Sequence, residues 1–92
     1  MIKTYEIRIY GRVFNVGFRR YVHRYAIEND ITGFVENDRA DESVHIIAQG
    51  EAEKLERFTI LCGEGTPYSF VVDMKIQAID SPHTYLDFKQ VR

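Results

Sequence analysis

The period of the hydrophobic pattern changes early in this chain, and that change limits the folds available to it. Residues 3–13, KTYEIRIYGRV, alternate between apolar and polar, which is typical of a strand with one covered face. From residue 18 the spacing becomes i, i+4, i+7 and i+8, which predicts an amphipathic helix whose apolar stripe is Phe18, Val22, Tyr25 and Ala26. The chain therefore opens with a strand, a short loop and a helix.

The remainder repeats strand and helix patterns around a hairpin. Two β-rich segments, residues 31–37 and 43–49, flank the polar turn DRADE. A second helical stripe follows and ends at a glycine cluster; its members are Ala52, Leu55, Phe58, Thr59 and Cys62. Residues 70–76 alternate again, which predicts a strand with Phe70, Val72, Met74 and Ile76 on one shared face. Residues 84–92 form a last short β-rich run.

This order is β-α-β-β-α-β, the split βαβ arrangement. It predicts an α+β fold in which two helices cover one face of an antiparallel sheet of four to five strands, leaving the other face open to water. At 92 residues, of which 45% are hydrophobic, the chain is expected to form a single domain over residues 1–92.

Composition limits the cellular location that we expect for such a domain. A single cysteine, Cys62, excludes an internal disulfide, and its place on the second helical stripe favours buried packing over reactivity. No apolar run follows the N-terminus, so neither a signal peptide nor a membrane span is expected. We expect a cytoplasmic protein that acts without a membrane, and nothing in the sequence requires it to be other than a monomer.

Charge is unevenly distributed along the chain. Residues 1–30 carry six Lys or Arg and three Asp or Glu, a balance of +3, whereas residues 31–92 carry six and eleven, a balance of −5. The basic half points to a local anion site, but the excess is too small to favour a long phosphate polymer. An RNA-binding sheet is the alternative for this element order, yet residues 43–49 contain no aromatic side chain on which bases could stack.

The segment GRVFNVGFR, residues 11–19, is the strongest candidate for that anion site. It joins a strand to a helix, so its last amides lie at a helix N-terminus, where N–H groups lack intrahelical acceptors. Gly17 permits close approach to the main chain, and Asn15 tolerates a left-handed conformation. Arg19 would present a planar fork to two oxygens of a phosphoryl group. Glycine spacing alone favours a simple tight turn, because short glycine-containing loops are common.

GRVFNVGFR followed by ITGFVEN resembles the acylphosphatase family, which carries a G-x-V-x-G-V-x-F-R loop, a helix and then a G-x-V-x-N strand. The matching residues are Gly11, Val13, Val16, Phe18 and Arg19 in the loop, and Gly33, Val35 and Asn37 in the strand. The resemblance implies a ferredoxin-like fold and hydrolysis of small acyl phosphates to a carboxylate and phosphate, without a metal or other cofactor. It also implies that Arg19 is catalytic, that Asn37 positions water, and that the phosphate is held by the backbone amides of Asn15, Val16, Gly17, Phe18 and Arg19.

The sequence departs from the family pattern in three places. Phe14 stands where a glutamine is usual, Asn15 replaces a loop glycine, and the hairpin turn within residues 37–44 is about one residue longer. These departures leave a second interpretation open, a phosphate- or anion-binding module with weak or no catalysis. The three histidines, His23, His45 and His83, show no metal-ligand spacing.

Overall fold

The computed structural model describes residues 1–91. The elements are β1 (Ile2–Arg12), α1 (Phe18–Glu28), β2 (Thr32–Asp38), β3 (Ser43–Glu51), α2 (Ala52–Glu64), β4 (Phe70–Ile79) and β5 (Phe88–Gln90). The predicted order of strands and helices is confirmed, and the final β-rich run contributes a short fifth strand.

The five strands form one sheet in the order β4-β1-β3-β2-β5. The first four pair antiparallel, as predicted. The fifth is different, because β5 pairs parallel with β2, aligning Gly33–Val35 with Phe88–Gln90. The sheet is therefore mixed, and the expectation of a purely antiparallel sheet is wrong for this strand. The chain leaves β4 at one edge and crosses to the opposite edge before it forms β5, and this places Phe88–Gln90 beside β2.

The core lies between the sheet and the two helices. Strand side chains on this face, including Ile7, Ile9, Val35, Val44 and Ile46, are fully buried. Both predicted helical stripes face them: Phe18, Val22 and Ala26 of α1 and Leu55, Phe58, Thr59 and Cys62 of α2 are buried. No helix within residues 1–91 combines the length and the apolar character needed to cross a membrane.

The open face of the sheet is partly covered near one end. Gln49 of β3 donates to the hydroxyl of Thr4 and to the carbonyl of His83, and accepts from the amide of Tyr85, each at 3.0 Å. The segment between β4 and β5 is thereby fixed against this face. The prediction that the second face is open to water is wrong over this region.

Strand β4 departs from its predicted pattern. Its alternation predicted one shared face for Phe70, Val72, Met74 and Ile76, yet Phe70 and Val72 are 68% and 69% exposed. The pairing with β1 shifts register between Tyr10 and Gly11, which is the effect of a β-bulge. An extra residue at a bulge reverses the face of the residues beyond it, so Val71 packs toward the core with Met74 instead.

Gly33 shows how closely the backbones approach within the sheet. Its φ is +131°, and a Cβ atom there would lie 1.9 Å from the carbonyl oxygen of Ile47. We expect Gly33→Ala to destabilise the fold by roughly 3 kcal/mol, since backbone atoms of two paired strands would have to separate.

Denaturant unfolding measures this effect, with Gly63→Ala as the matched control. A Cβ at Gly63 would meet only the flexible end of Met74, at 3.3 Å, so we expect a change within about 1 kcal/mol. Equal stability of the two variants would contradict the role assigned to Gly33.

Candidate functional site

The loop between β1 and α1 adopts the mixed-handed conformation that its sequence predicts. Asn15 has a φ of 61° and Gly17 a φ of 74°, both left-handed, and Val16 between them has no positive φ. Alternating handedness turns successive amide groups toward a common centre. Gly11, by contrast, lies within β1, where a Cβ would be 2.1 Å from the Phe70 carbonyl oxygen; it serves strand pairing rather than the loop.

The N-terminus of α1 is uncapped. Gly17 is the N-cap residue, no side chain caps it, and no acidic residue lies in the first turn. The first backbone bond at this end runs from the Tyr21 amide to the Gly17 carbonyl, at 3.0 Å. Within residues 1–91, none of the hydrogen bonds is donated by the amides of residues 15–20. These donors and the positive end of the helix dipole are therefore available to an anion.

Arg19 is held beside these amides by the C-terminal segment. Its Nη1 donates to the Val91 carbonyl oxygen at 2.7 Å. No carboxylate within residues 1–91 forms an ion pair with it. A guanidinium carries five N–H donors, so this single contact fixes its position and leaves other donors for a ligand.

Asn37, near the end of β2, carries an unusual acceptor. Its Oδ1 is buried and is the one buried side-chain nitrogen or oxygen of residues 1–91 that lacks a hydrogen-bond partner. Buried polar atoms are nearly always bonded, and an exception calls for an explanation such as a missing water or ligand. The buried Oδ1 of Asn37 is such an exception.

Two adjoining clefts bring the predicted residues together. The larger, which we call the outer cleft, has a volume of about 820 Å³ and is lined by Arg19, Asn37, Arg39 and Gln90. The smaller, the loop cleft, has a volume of about 270 Å³ and is lined by Val13, Asn15, Gly17, Phe18, Arg19, Arg20, Asn37 and Gln90. Val16 does not line them; its carbonyl accepts from the Thr66 hydroxyl at 3.4 Å.

Arg39 and Gln90 are residues of these clefts that the sequence patterns did not single out. Arg39 lies in the hairpin turn two residues after Asn37, so its closeness to Asn37 in sequence is the signal that could have placed it near the site. Gln90 has no such signal, because it reaches the site only through the parallel pairing of β5 with β2.

The electrostatics of the clefts favour an anion. Within residues 1–91, three arginines, Arg19, Arg20 and Arg39, contribute to their walls, and no carboxylate does. The nearby Asp38 carboxylate instead accepts from Arg8 Nη1 at 2.8 Å, and this hydrogen bond lowers the pKa of Asp38 below its usual value. The negative charge of Asp38 is therefore neutralised by Arg8.

A third cleft, of about 690 Å³, lies on the open face of the sheet around Glu6, Arg8, Tyr10, Asp38 and Asp41. Each of its three carboxylates has a protein partner. Arg8 reaches Asp38 and Asp41, and the Tyr10 hydroxyl donates to Asp41 at 2.8 Å. Because Arg8 is already paired with two carboxylates and three carboxylates lie in the walls, this cleft is a weaker candidate for an anion site than the outer and loop clefts.

The remaining reactive side chains are engaged elsewhere. Cys62 is buried in the core, and burial raises the pKa of its thiol, as expected for a packing residue. His45 lies between Glu36 and Glu6, with 2.9 Å contacts from Nδ1 and Nε2. Within residues 1–91, no group of three or more His, Cys, Asp or Glu side chains is placed to hold a metal ion.

Comparisons with known proteins show the family of this chain. The family model described as Acylphosphatase matches residues 5–90. An acylphosphatase of Shewanella amazonensis is 39% identical over 82 residues, which cover 89% of each chain. An acylphosphatase of Bacillus licheniformis is 41% identical over 73 residues, covering 79% of this chain and 80% of the relative.

The crystal structure of acylphosphatase from Bacillus subtilis superposes over 100% of both chains with a TM-score of 0.92 and 33% identity. Sequence and fold thus match the same proteins over most of the chain. This chain belongs to the acylphosphatase family.

Proposed function

We propose that this protein hydrolyses the carboxyl–phosphate bond of small acyl phosphates, releasing a carboxylate and inorganic phosphate. Family membership supports this reaction class. The observation that supports the mechanism is the meeting of Arg19, Asn37 and the uncapped α1 N-terminus at clefts whose walls, among the described residues, contain no carboxylate.

The phosphoryl group would lie against the amides of residues 15–19. Within residues 1–91 these N–H groups have no acceptor, and Arg19 lies in the first turn of the helix beside them. Phosphoryl transfer depends chiefly on positioning and on stabilising charge on the phosphoryl oxygens. Preorganised amides and one guanidinium supply that stabilisation without moving during the reaction.

The attacking water would be held by Asn37. Its unpartnered Oδ1 accepts a hydrogen from water, and because the side chain is neutral it does not repel the anionic substrate. The water oxygen forms a bond to phosphorus while the bond from phosphorus to the carboxylate oxygen breaks. The water proton passes to a phosphoryl oxygen of the substrate, so no protein base is required. A carboxylate leaves readily without protonation, so no protein acid is required either.

The test is hydrolysis of benzoyl phosphate, followed by its loss of ultraviolet absorbance, with and without a chelating agent. We expect saturable turnover well above the spontaneous rate and equal in both conditions, because arginine and amides supply the charge stabilisation. Loss of turnover with the chelator would contradict the metal-independent mechanism, and absence of turnover would contradict the reaction.

The second candidate is a phosphate-binding module with little catalysis. The observation that favours it is the Asn15 side chain at the wall of the loop cleft, where it adds bulk beside the anion. Isothermal titration with inorganic phosphate separates the two proposals, because this module would bind phosphate yet show no turnover of benzoyl phosphate. Cytoplasmic location and a monomeric state stay predictions from the sequence.

A further inference from the structure

The outer cleft contains a second guanidinium for which the reaction itself has no use. Arg39 follows β2 in the hairpin turn and lines this cleft with Arg19, Asn37 and Gln90. The proposed hydrolysis uses Arg19 for the phosphoryl group and Asn37 for water. Arg39 therefore adds positive charge to a part of the cleft where the remainder of the substrate would extend.

The charge of Arg39 is not neutralised by the protein around it. The nearest carboxylates in sequence, Asp38 and Asp41, contact Arg8 at 2.8 and 3.4 Å. Within the part of the chain that the structure describes, no carboxylate forms an ion pair with Arg39. An unpaired guanidinium at the wall of a cleft attracts an anionic ligand group.

The orientation of Arg39 is set by Phe14, the residue that replaces the usual family glutamine. The Arg39 Cζ lies 5.2 Å from the centroid of the Phe14 ring, and Phe14 itself packs partly buried against the core. A guanidinium over an aromatic face keeps its N–H donors at its edge, where they stay free to bind. Phe14 and Arg39 therefore act together as a preorganised anion contact.

We propose that Arg39, positioned by Phe14, selects acyl phosphates whose acyl group carries a second anionic group. The inference rests on the proposed hydrolysis and specifies its substrate class. The phosphoryl group occupies the amides and Arg19, and the acyl chain extends through the outer cleft to Arg39. A carboxylate on that chain forms a charge-assisted hydrogen bond with the guanidinium.

The experiment compares two substrates that differ in charge and hardly in size, 4-carboxybenzoyl phosphate and 4-carbamoylbenzoyl phosphate. The ratio of their kcat/KM values is measured for the wild type and for Arg39→Gln. The two substrates differ in intrinsic reactivity, but this difference cancels when the wild-type ratio is compared with the ratio for Arg39→Gln. We expect the ratio to fall about fivefold in Arg39→Gln, as suits one ion pair at an exposed site. Raising the ionic strength should reduce the wild-type ratio toward that of the variant.

Three further variants sharpen the test. Arg57→Gln makes the same charge change on an exposed face of α2, outside both clefts, and should keep the wild-type ratio. Arg39→Lys keeps the charge without the planar fork and should restore part of the preference. Phe14→Leu keeps an apolar residue but removes the aromatic face, so its ratio should lie between those of the wild type and Arg39→Gln.

The outcomes distinguish a failure of this inference from a failure of the proposed hydrolysis on which it rests. Turnover of both substrates with the same ratio in the wild type and Arg39→Gln would overturn the role of Arg39 alone. Turnover of neither substrate would overturn the proposed hydrolysis and this inference with it. A wild-type ratio in Phe14→Leu would remove the positioning role given to the aromatic ring.

Discussion

Replacing Arg19 with alanine is expected to lower kcat for acyl phosphate hydrolysis about 10³-fold or more, the range found when a single arginine stabilises a transferring phosphoryl group. The Arg19 guanidinium lies at both clefts and is fixed by its 2.7 Å bond to the Val91 carbonyl. The benzoyl phosphate assay measures the loss directly. Arg19→Lys should recover only a small part of the rate, because an ammonium cannot contact two phosphoryl oxygens in the planar geometry of arginine.

Arg24→Gln is the matched control for this prediction. Arg24 lies on the same helix, is exposed, and pairs with Glu28 outside the clefts. We expect it to keep wild-type turnover. The thermal midpoint of Arg19→Ala should also be measured, because the bond to Val91 helps to fix the C-terminal segment. A loss of rate below about tenfold in a folded Arg19→Ala protein would contradict its proposed role.

Asn37→Ala should separate activity from stability. We expect kcat to fall about 10²-fold, the scale on which misplacement of a reacting group affects rate. Stability should stay equal or rise, because the substitution removes a buried oxygen that has no partner. Steady-state kinetics and thermal unfolding on the same preparation measure both effects. Asn37→Asp should be similarly slow, since a carboxylate would repel the anionic substrate.

Asn29→Ala is the control, because we expect it to lower stability and to leave activity unchanged, the opposite of Asn37→Ala. Asn29 is the C-cap of α1, and its Nδ2 donates to the Tyr25 carbonyl at 2.9 Å, away from the clefts. Asn29→Ala should lower stability by about 1 kcal/mol and leave turnover unchanged. If Asn37→Ala instead lost stability like Asn29→Ala and kept its rate, Asn37 would be a structural residue and the water-positioning proposal would be wrong.

The elements that depend on local periodicity were predictable from sequence. The stripe of α1 and the alternation of β1 each depend on residues a few positions apart, and their buried faces are the expected ones. Strand β4 was less predictable, because a bulge opposite Gly11 reverses its faces and alternation does not reveal a bulge. The crossing to β5 depends on the free edge of β2, which exists only once the sheet has formed.

The candidate site likewise has features that were predictable from local sequence and features that depend on the whole fold. The left-handed residues Asn15 and Gly17 and the uncapped helix start follow from a local segment, so the loop could be predicted. The contact of Arg19 with Val91 and the presence of Gln90 depend on the parallel pairing of β5, far away in sequence. The unpartnered oxygen of Asn37 depends on burial by the whole fold, which no spacing pattern reports.

The most direct measurement is a titration of ¹⁵N-labelled protein with inorganic phosphate, followed by amide chemical shifts. We predict saturable shifts centred on the amides of residues 15–19 and on the side chain of Asn37, lost in Arg19→Ala. Shifts centred on the open-face cleft around Arg8, or no saturable shift in the loop, would contradict the proposal that this loop and Arg19 hold the phosphoryl group.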